Sequence, residues 1–138
     1  ALMRLISQLG VQDRVQLLGF CPAEQLTALF STCAVFCLPS LERTEAFGVV
    51  LLEAMRYQCA IVASAIPGAG VNWIIDAGQN GLLVPPNDVP ALTHALQTLN
   101  TQPDYRRRLA IQGQRKFQAQ FAIEPVAQHI AACYAQWI

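Results

Sequence analysis

Two carboxylates eight positions apart, Glu45 and Glu53, are the residues of this chain whose types and spacing could do chemistry. Glu45 sits in a polar loop. Glu53 is the only charge between Ala46 and Met55, a run that otherwise reads apolar. A carboxylate among apolar side chains is costly unless something pairs with it or donates hydrogen bonds to it, so a polar ligand becomes a candidate partner. By spacing alone the pair suggests two carboxylates sharing acid–base work. Two blander readings stand beside that one. Glu53 could pair with Arg56 at i+3, worth only a few tenths of a kcal/mol. Glu45 could be a solvated loop residue that favours a helix N-terminus.

The flanking elements separate the two. Ala34 to Leu38 is an uninterrupted apolar run, the pattern of a strand in a parallel sheet covered on both faces, and Pro39 ends it. A loop follows to Ala46, then a helix over Phe47 to Tyr57. In open parallel sheets ligands bind beyond the carboxyl ends of the strands. The free amides of a first turn at Phe47-Gly48-Val49, with the positive end of the helix dipole, suit a phosphate or pyrophosphate. Gly48 would let that group come close to the backbone. Glu53 lies roughly 8–9 Å further along the helix axis, a distance suited to ribose hydroxyls. Glu45, ahead of the helix, would face the group beyond the phosphates.

The rest of the chain must hold these residues in place. Ala1 to Leu9 reads as an amphipathic helix stopped at Gly10. Arg14 to Leu18 reads as a short strand ending at Gly19. Pro22 to Thr32 reads as a helix with Leu26, Leu29 and Phe30 as its apolar stripe. Ala60 to Ala63 is a second buried strand, Pro67 to Gly70 a turn-rich loop, and Trp73 to Ile75 an apolar element of either type. Ala77 to Gly81 is a turn and Leu82 to Val84 a last strand. Asp88 caps a helix from Val89 to Leu99, followed by helices over Asp104 to Gln120 and Glu124 to Trp137. Strands alternating with helices give an α/β fold, a Rossmann-like doubly wound parallel sheet, in a single domain over residues 1–138.

Composition bounds the function. The 138 residues are 54% hydrophobic and 13% charged, which suggests a sheet buried on both sides or a surface that meets another domain. The net charge of zero argues against non-specific nucleic-acid binding. Five cysteines, Cys21, Cys33, Cys37, Cys59 and Cys133, are odd in number and form no Cys-x-x-Cys pair, so buried, reduced thiols of a cytoplasmic protein are expected. No metal site is expected, since His94 and His129 lie far from any cysteine pair. No apolar run reaches the ~18 residues of a spanning helix. Arg106, Arg107, Arg108, Arg115 and Lys116 make one helix basic but spread over more than half its circumference. A solvated surface is therefore favoured there, with peripheral contact to anionic lipid as the alternative.

The string Pro39-Ser40…Glu45-Ala46-Phe47-Gly48…Leu52-Glu53-Ala54-Met55 resembles the Glu-x7-Glu motif of retaining GT-B glycosyltransferases, above all the family 4, or group 1, enzymes. The similarity runs from about residue 10 to 90. Asp13-Arg14-Val15…Leu18-Gly19-Phe20, Ala34 to Ser40, Ile61-Val62-Ala63-Ser64 and Gly78-Gln79-Asn80-Gly81-Leu82-Leu83-Val84-Pro85-Pro86-Asn87-Asp88 follow the family's order. The resemblance implies the C-terminal, nucleotide-sugar donor-binding half of a GT-B fold, incomplete at its N-terminal edge and lacking the acceptor domain. It implies transfer of a sugar, with retention, from a nucleotide-diphosphate sugar to a glycan or lipid-linked saccharide, as in polysaccharide biosynthesis. Glu45 would be the catalytic carboxylate, contacting sugar hydroxyls and supporting an oxocarbenium-like transition state. Glu53 would bind the ribose, and the backbone of Ala46, Phe47, Gly48 and Val49 the sugar and pyrophosphate. Phe20 and Cys21 would lie near the nucleobase, with ordinary loop packing as the alternative. No cofactor or metal is implied, because amides and basic side chains neutralise the diphosphate.

Departures from the family pattern are informative. Four residues rather than two separate Ser40 from Glu45. Gln58 and Ala60 replace the usual Gly and Pro. Gly68-Ala69-Gly70-Val71-Asn72-Trp73 stands where a Gly-Gly-x-Pro-Glu stretch is usual, without its glutamate. Gly68 and Gly70 either line the sugar pocket or form a tight turn. The Arg and Lys that grip the diphosphate in the family have no equivalent here, so this stretch alone is expected to be inactive and to bind donor weakly. Two other readings are a sugar-nucleotide epimerase of the same architecture and a non-catalytic nucleotide-sugar-binding module.

Overall fold

The computed structural model describes residues 1–42 and 47–136. Three strands, β1 (Val35–Leu38), β2 (Ala60–Ser64) and β3 (Leu82–Val84), form a parallel sheet in the order β1-β2-β3. Val35 faces Ala60 and Leu38 faces Ala63, while Val62 faces Leu82 and Ser64 faces Val84. Helices join them: α1 (Leu2–Leu9), α2 (Ala23–Thr32), α3 (Val49–Arg56), α4 (Val71–Ile74), α5 (Val89–Thr101), α6 (Pro103–Lys116) and α7 (Ile123–Ala135).

The sheet is covered on both faces because strand residues alternate in direction. Ile61 and Ala63 of β2, with Phe36 and Leu38 of β1 and Leu83 of β3, join a core with Leu51 and Met55 of α3 and Val71 and Ile74 of α4. Ala60 and Val62, with Val35, Cys37, Leu82 and Val84, meet Ala95 and Leu99 of α5 and Leu109 and Ala110 of α6. Every residue of β2 is buried, which explains its unbroken apolar sequence. The α/β, doubly wound reading is thus the observed architecture.

Local chemistry fixes several ends. Gly10 ends α1 in the left-handed region, at φ 63°. The Asp88 carboxylate accepts from the Ala91 amide at 2.9 Å and caps α5, an arrangement worth about 1 kcal/mol.

Four expectations are corrected. Arg14 to Leu18 is not a strand: Val15, Leu17 and Leu18 are each at least 40% exposed and no described strand pairs with them. Its short apolar alternation buries no face, and a strand without a ladder partner leaves its backbone groups to solvent. The helix expected from Phe47 begins at Val49, because Gly48 at φ 84° turns the chain just before it. The helix expected to Gln120 stops at Lys116 and gives way to a π-helical segment, Phe117–Phe121. The cysteines are not uniformly buried: Cys59 is buried and Cys133 is exposed. The apolar element near Trp73 is the short α4. Of the stripe expected on α2 only Phe30 is buried. It stacks on Tyr57 at 5.9 Å and leans on Phe36 at 5.5 Å.

Burial, and then the neighbouring Cys33, push the Cys59 thiol up from about 9 to about 12. Its Sγ–H donates to the Phe30 carbonyl at 3.3 Å. The folded state therefore holds this proton where the unfolded chain releases it, so stability is full below the unfolded value and falls as pH rises from about 9 towards about 12. Thermal unfolding between pH 8 and 11 should show a steeper loss for the parent than for Cys59→Ala. Equal slopes would remove Cys59 as the source.

Candidate functional site

The carboxyl ends of all three strands meet around a small cleft of about 130 Å³, lined among others by Pro39, Ser64, Val84 and Asn87. Phe47 and Gly48 enter α3 at this end of the sheet, beside Gly70 of the loop after β2. Glu45 and Ala46 lie outside the described residues; Phe47, Gly48 and Val49 are described. Gly48 is buried, and its carbonyl accepts from the Leu51 amide at 2.8 Å. Its φ of 84° is one that L side chains rarely adopt, and a Cβ there would stand 3.0 Å from Leu51 Cδ1. No described side chain caps α3 and no acidic residue occupies its first turn. Among the described residues no carboxylate answers the dipole end of α3.

Gly70 answers one of the questions the sequence left open. Its φ is −63°, which any residue adopts, so conformation does not demand glycine there. A Cβ at Gly70 would lie 2.8 Å from the Phe47 carbonyl oxygen and 2.9 Å from Phe47 Cα. The glycine is needed because the loop after β2 presses directly on the backbone that enters α3. Gly68, with φ 72°, is the turn glycine of the pair. Asn72 Nδ2 donates to the Ile66 carbonyl at 2.9 Å and straps the same loop. An aromatic row continues from it: Phe47 lies 5.9 Å from Trp73, which meets Phe121 edge-on at 5.0 Å. Sequence reasoning missed Asn72, Trp73 and Phe121 as supports, since aromatic spacing across three separate elements leaves no local pattern.

Glu53 is exposed on the face of α3 that looks towards α2. With Leu26, Thr27, Phe30, Arg56 and Tyr57 it lines a hollow of about 170 Å³. The Glu53–Arg56 pairing considered from spacing does not form: the ion pairs among the described residues are Arg14–Asp13 and Lys116–Asp76. The Arg56 guanidinium instead lies over the Tyr57 ring at 5.8 Å. Among the described residues no ion-pair partner occupies the Glu53 carboxylate. Because α3 starts at Val49, Glu53 lies about 6 Å along the axis from the first turn, closer than a helix from Phe47 would place it.

Phe20 is 91% exposed and Cys21 half-buried. They precede Ala23, which forms part of the wall of the Glu53 hollow. The structure brings Phe47, Gly48, Val49 and Glu53 onto one helix and its lead-in, and places Phe20 and Cys21 at the entry to the neighbouring helix. Among the described residues no group of three or more metal-binding side chains converges. No described helix is long and apolar enough to cross a membrane.

Comparison with known proteins gives a consistent picture. The family model described as "Glycosyl transferases group 1" matches residues 1–116. An alpha-D-kanosaminyltransferase of Streptomyces kanamyceticus is 31% identical over 98% of the chain and 34% of its own length. Sucrose-phosphate synthase from Thermosynechococcus elongatus superposes with a TM-score of 0.85 at 32% identity, over 99% of this chain and 33% of that one. The Anabaena protein Alr3699/HepE, solved in complex with UDP-glucose, gives 0.85 at 26% identity, over 98% of this chain and 36% of that one. The chain thus spans about a third of the length of each of these three relatives.

Proposed function

The chain belongs to the group 1 glycosyl transferases, and we propose that residues 1–138 are the donor-binding domain of a cytoplasmic enzyme of that family. The donor is a nucleotide-diphosphate sugar, and the acceptor a glycan or lipid-linked saccharide presented by another domain. The observation that carries this reading is the start of α3: a first turn that no described side chain caps, at the carboxyl end of the sheet, with Glu53 exposed on the same helix. The relative solved with UDP-glucose supports the same class of ligand.

In this reading the amides from Ala46 to Val49 hold the diphosphate and sugar, and Glu53 accepts from the ribose hydroxyls. Phe20 and Cys21 border the base. Glu45 accepts from sugar hydroxyls and stabilises positive charge developing at the anomeric carbon as its bond to the nucleoside diphosphate breaks; the acceptor oxygen bonds to the same face, which retains the configuration, and its proton leaves with the diphosphate. The diphosphate leaves as an anion against amides already oriented towards it, which costs no reorganisation during the reaction. Residues 1–138 alone bind donor weakly and transfer nothing.

The test is a calorimetric titration of the full-length protein with UDP-, GDP- and ADP-sugars, followed by NMR of the product anomer. One nucleotide class should bind, and the new glycosidic bond should keep the donor's configuration. Failure of every nucleotide sugar to bind would sink the proposal. Release of epimerised free donor would favour the epimerase reading, and binding without turnover would favour a sensor module.

A further inference from the structure

A groove of about 580 Å³ lies away from the carboxyl ends of the strands. It lies between α6 and the Asp76–Asn80 turn that leads into β3, at the amino end of the sheet. Its volume falls within the roughly 300–1,000 Å³ usual for small-molecule sites. We propose that it binds a phosphate-bearing, hydroxyl-rich ligand between Arg108 and Arg115. The groove is separate from the start of α3 and shares no lining residue with it.

The spacing of the lining residues carries the argument. Arg108, Gln112 and Arg115 stand at i, i+4 and i+7 on α6, and all three line the groove. They form one ladder on one helix face: guanidinium, carboxamide, guanidinium. The two arginines are about 10 Å apart along the axis. That span fits a ligand with anionic groups at both ends and hydroxyls between them, where Gln112 and Gln120 offer donors and acceptors.

The charge is uncommitted and the frame is fixed. The groove's one carboxylate, Asp76, is already paired with Lys116 at 2.8 Å, and the same ammonium donates to the Trp73 carbonyl at 3.0 Å. Neither Arg108 nor Arg115 belongs to an ion pair among the described residues. Two positive charges therefore remain in one groove of a chain whose net charge is zero. Arg108 lies over the Tyr105 ring at 5.0 Å, which orders its stem while its edge N–H groups stay available. The floor is preformed by Asn80, 3% exposed, which accepts from the Asp76 amide at 2.7 Å and donates to the Ile74 carbonyl at 3.0 Å. Arginine forks meet phosphate oxygens in a bidentate geometry that lysine cannot copy.

Arg107 provides the control. It is exposed on the same helix and does not line the groove. Calorimetry on the full-length protein would use fructose 1,6-bisphosphate as a two-ended probe and inorganic phosphate as a one-ended probe, at matched ionic strength. Vesicles of phosphatidylglycerol and of phosphatidylcholine form the second arm. The bisphosphate should bind more tightly than phosphate. Arg108→Gln and Arg115→Gln should each weaken it about tenfold or more, with Arg107→Gln within about twofold of the parent. If only the anionic vesicles bind, and the same two substitutions release them, the phosphate is a lipid headgroup and the groove is still its site. Absence of binding in both arms overturns the proposal. So does an Arg107→Gln loss equal to that of Arg115→Gln, which would reveal a diffuse charge effect.

Discussion

Glu53→Ala in the full-length protein is expected to weaken nucleotide-sugar binding about tenfold to a hundredfold while leaving the fold in place. Hydrogen bonds to a charged group contribute about 1.5–3 kcal/mol, and each 1.4 kcal/mol is about a factor of ten in affinity. Glu53 is exposed and makes no ion pair among the described residues. Removing it should therefore shift stability by no more than about 0.5 kcal/mol. That separation of affinity from stability is the informative part, because a merely structural glutamate would move both or neither. Calorimetric titration beside thermal unfolding checks it. Glu53→Gln keeps one carbonyl acceptor and should fall between parent and alanine. Unchanged nucleotide affinity in Glu53→Ala would remove Glu53 from the ribose.

Gly70→Ala should have the largest structural effect of any small substitution near the site. The added carbon would stand 2.8 Å from a backbone oxygen and 2.9 Å from a backbone carbon of Phe47, neither of which can rotate away. Either the loop after β2 or the lead-in to α3 must move. Overpacking of this kind costs about 1–3 kcal/mol. Because the displaced atoms belong to the segment that presents the first-turn amides, donor affinity should also fall, by about tenfold or more. Gly68→Ala is the matched comparison. It strains a left-handed residue and should cost about 1–2 kcal/mol, with a smaller effect on donor affinity. Thermal unfolding and donor titration of both variants decide the matter. A Gly70→Ala protein with parental stability and affinity would show that the two loops do not transmit position to each other.

Strands with an unbroken apolar run were legible from sequence because burial on both faces leaves a plain mark. The runs at Ala34 to Leu38 and Ala60 to Ala63 appear as β1 and β2 within a residue. The segment from Arg14 to Leu18 misled because alternation signals a half-buried strand only when a ladder partner exists, and none of the described strands provides one. The break of the long helix at Phe117 was invisible, since Phe-Gln-Ala-Gln-Phe has no proline or glycine to announce it. At the site, the sequence singles out Gly48 for close approach of a phosphate, and the structure shows that it also turns the chain into α3 at φ 84°. The role of Gly70 depends on an atom 23 residues away in sequence, and no local rule reaches that far.

The two-sided packing of β2 has a consequence for how this domain is born. One face of the strand is covered by residues that surround it in sequence, from α3 and α4. The other is completed by Leu109 and Ala110 of α6, about 45 residues after the strand ends. At a synthesis rate of about 5–20 residues per second, the ribosome needs roughly 2–9 s to deliver them. Until then α5, through Ala95 and Leu99, is the one helix that covers the face of Ala60 and Val62, and the place of Leu109 and Ala110 stays open. A nascent chain paused before α6 therefore holds its sheet closed on one face and half-closed on the other.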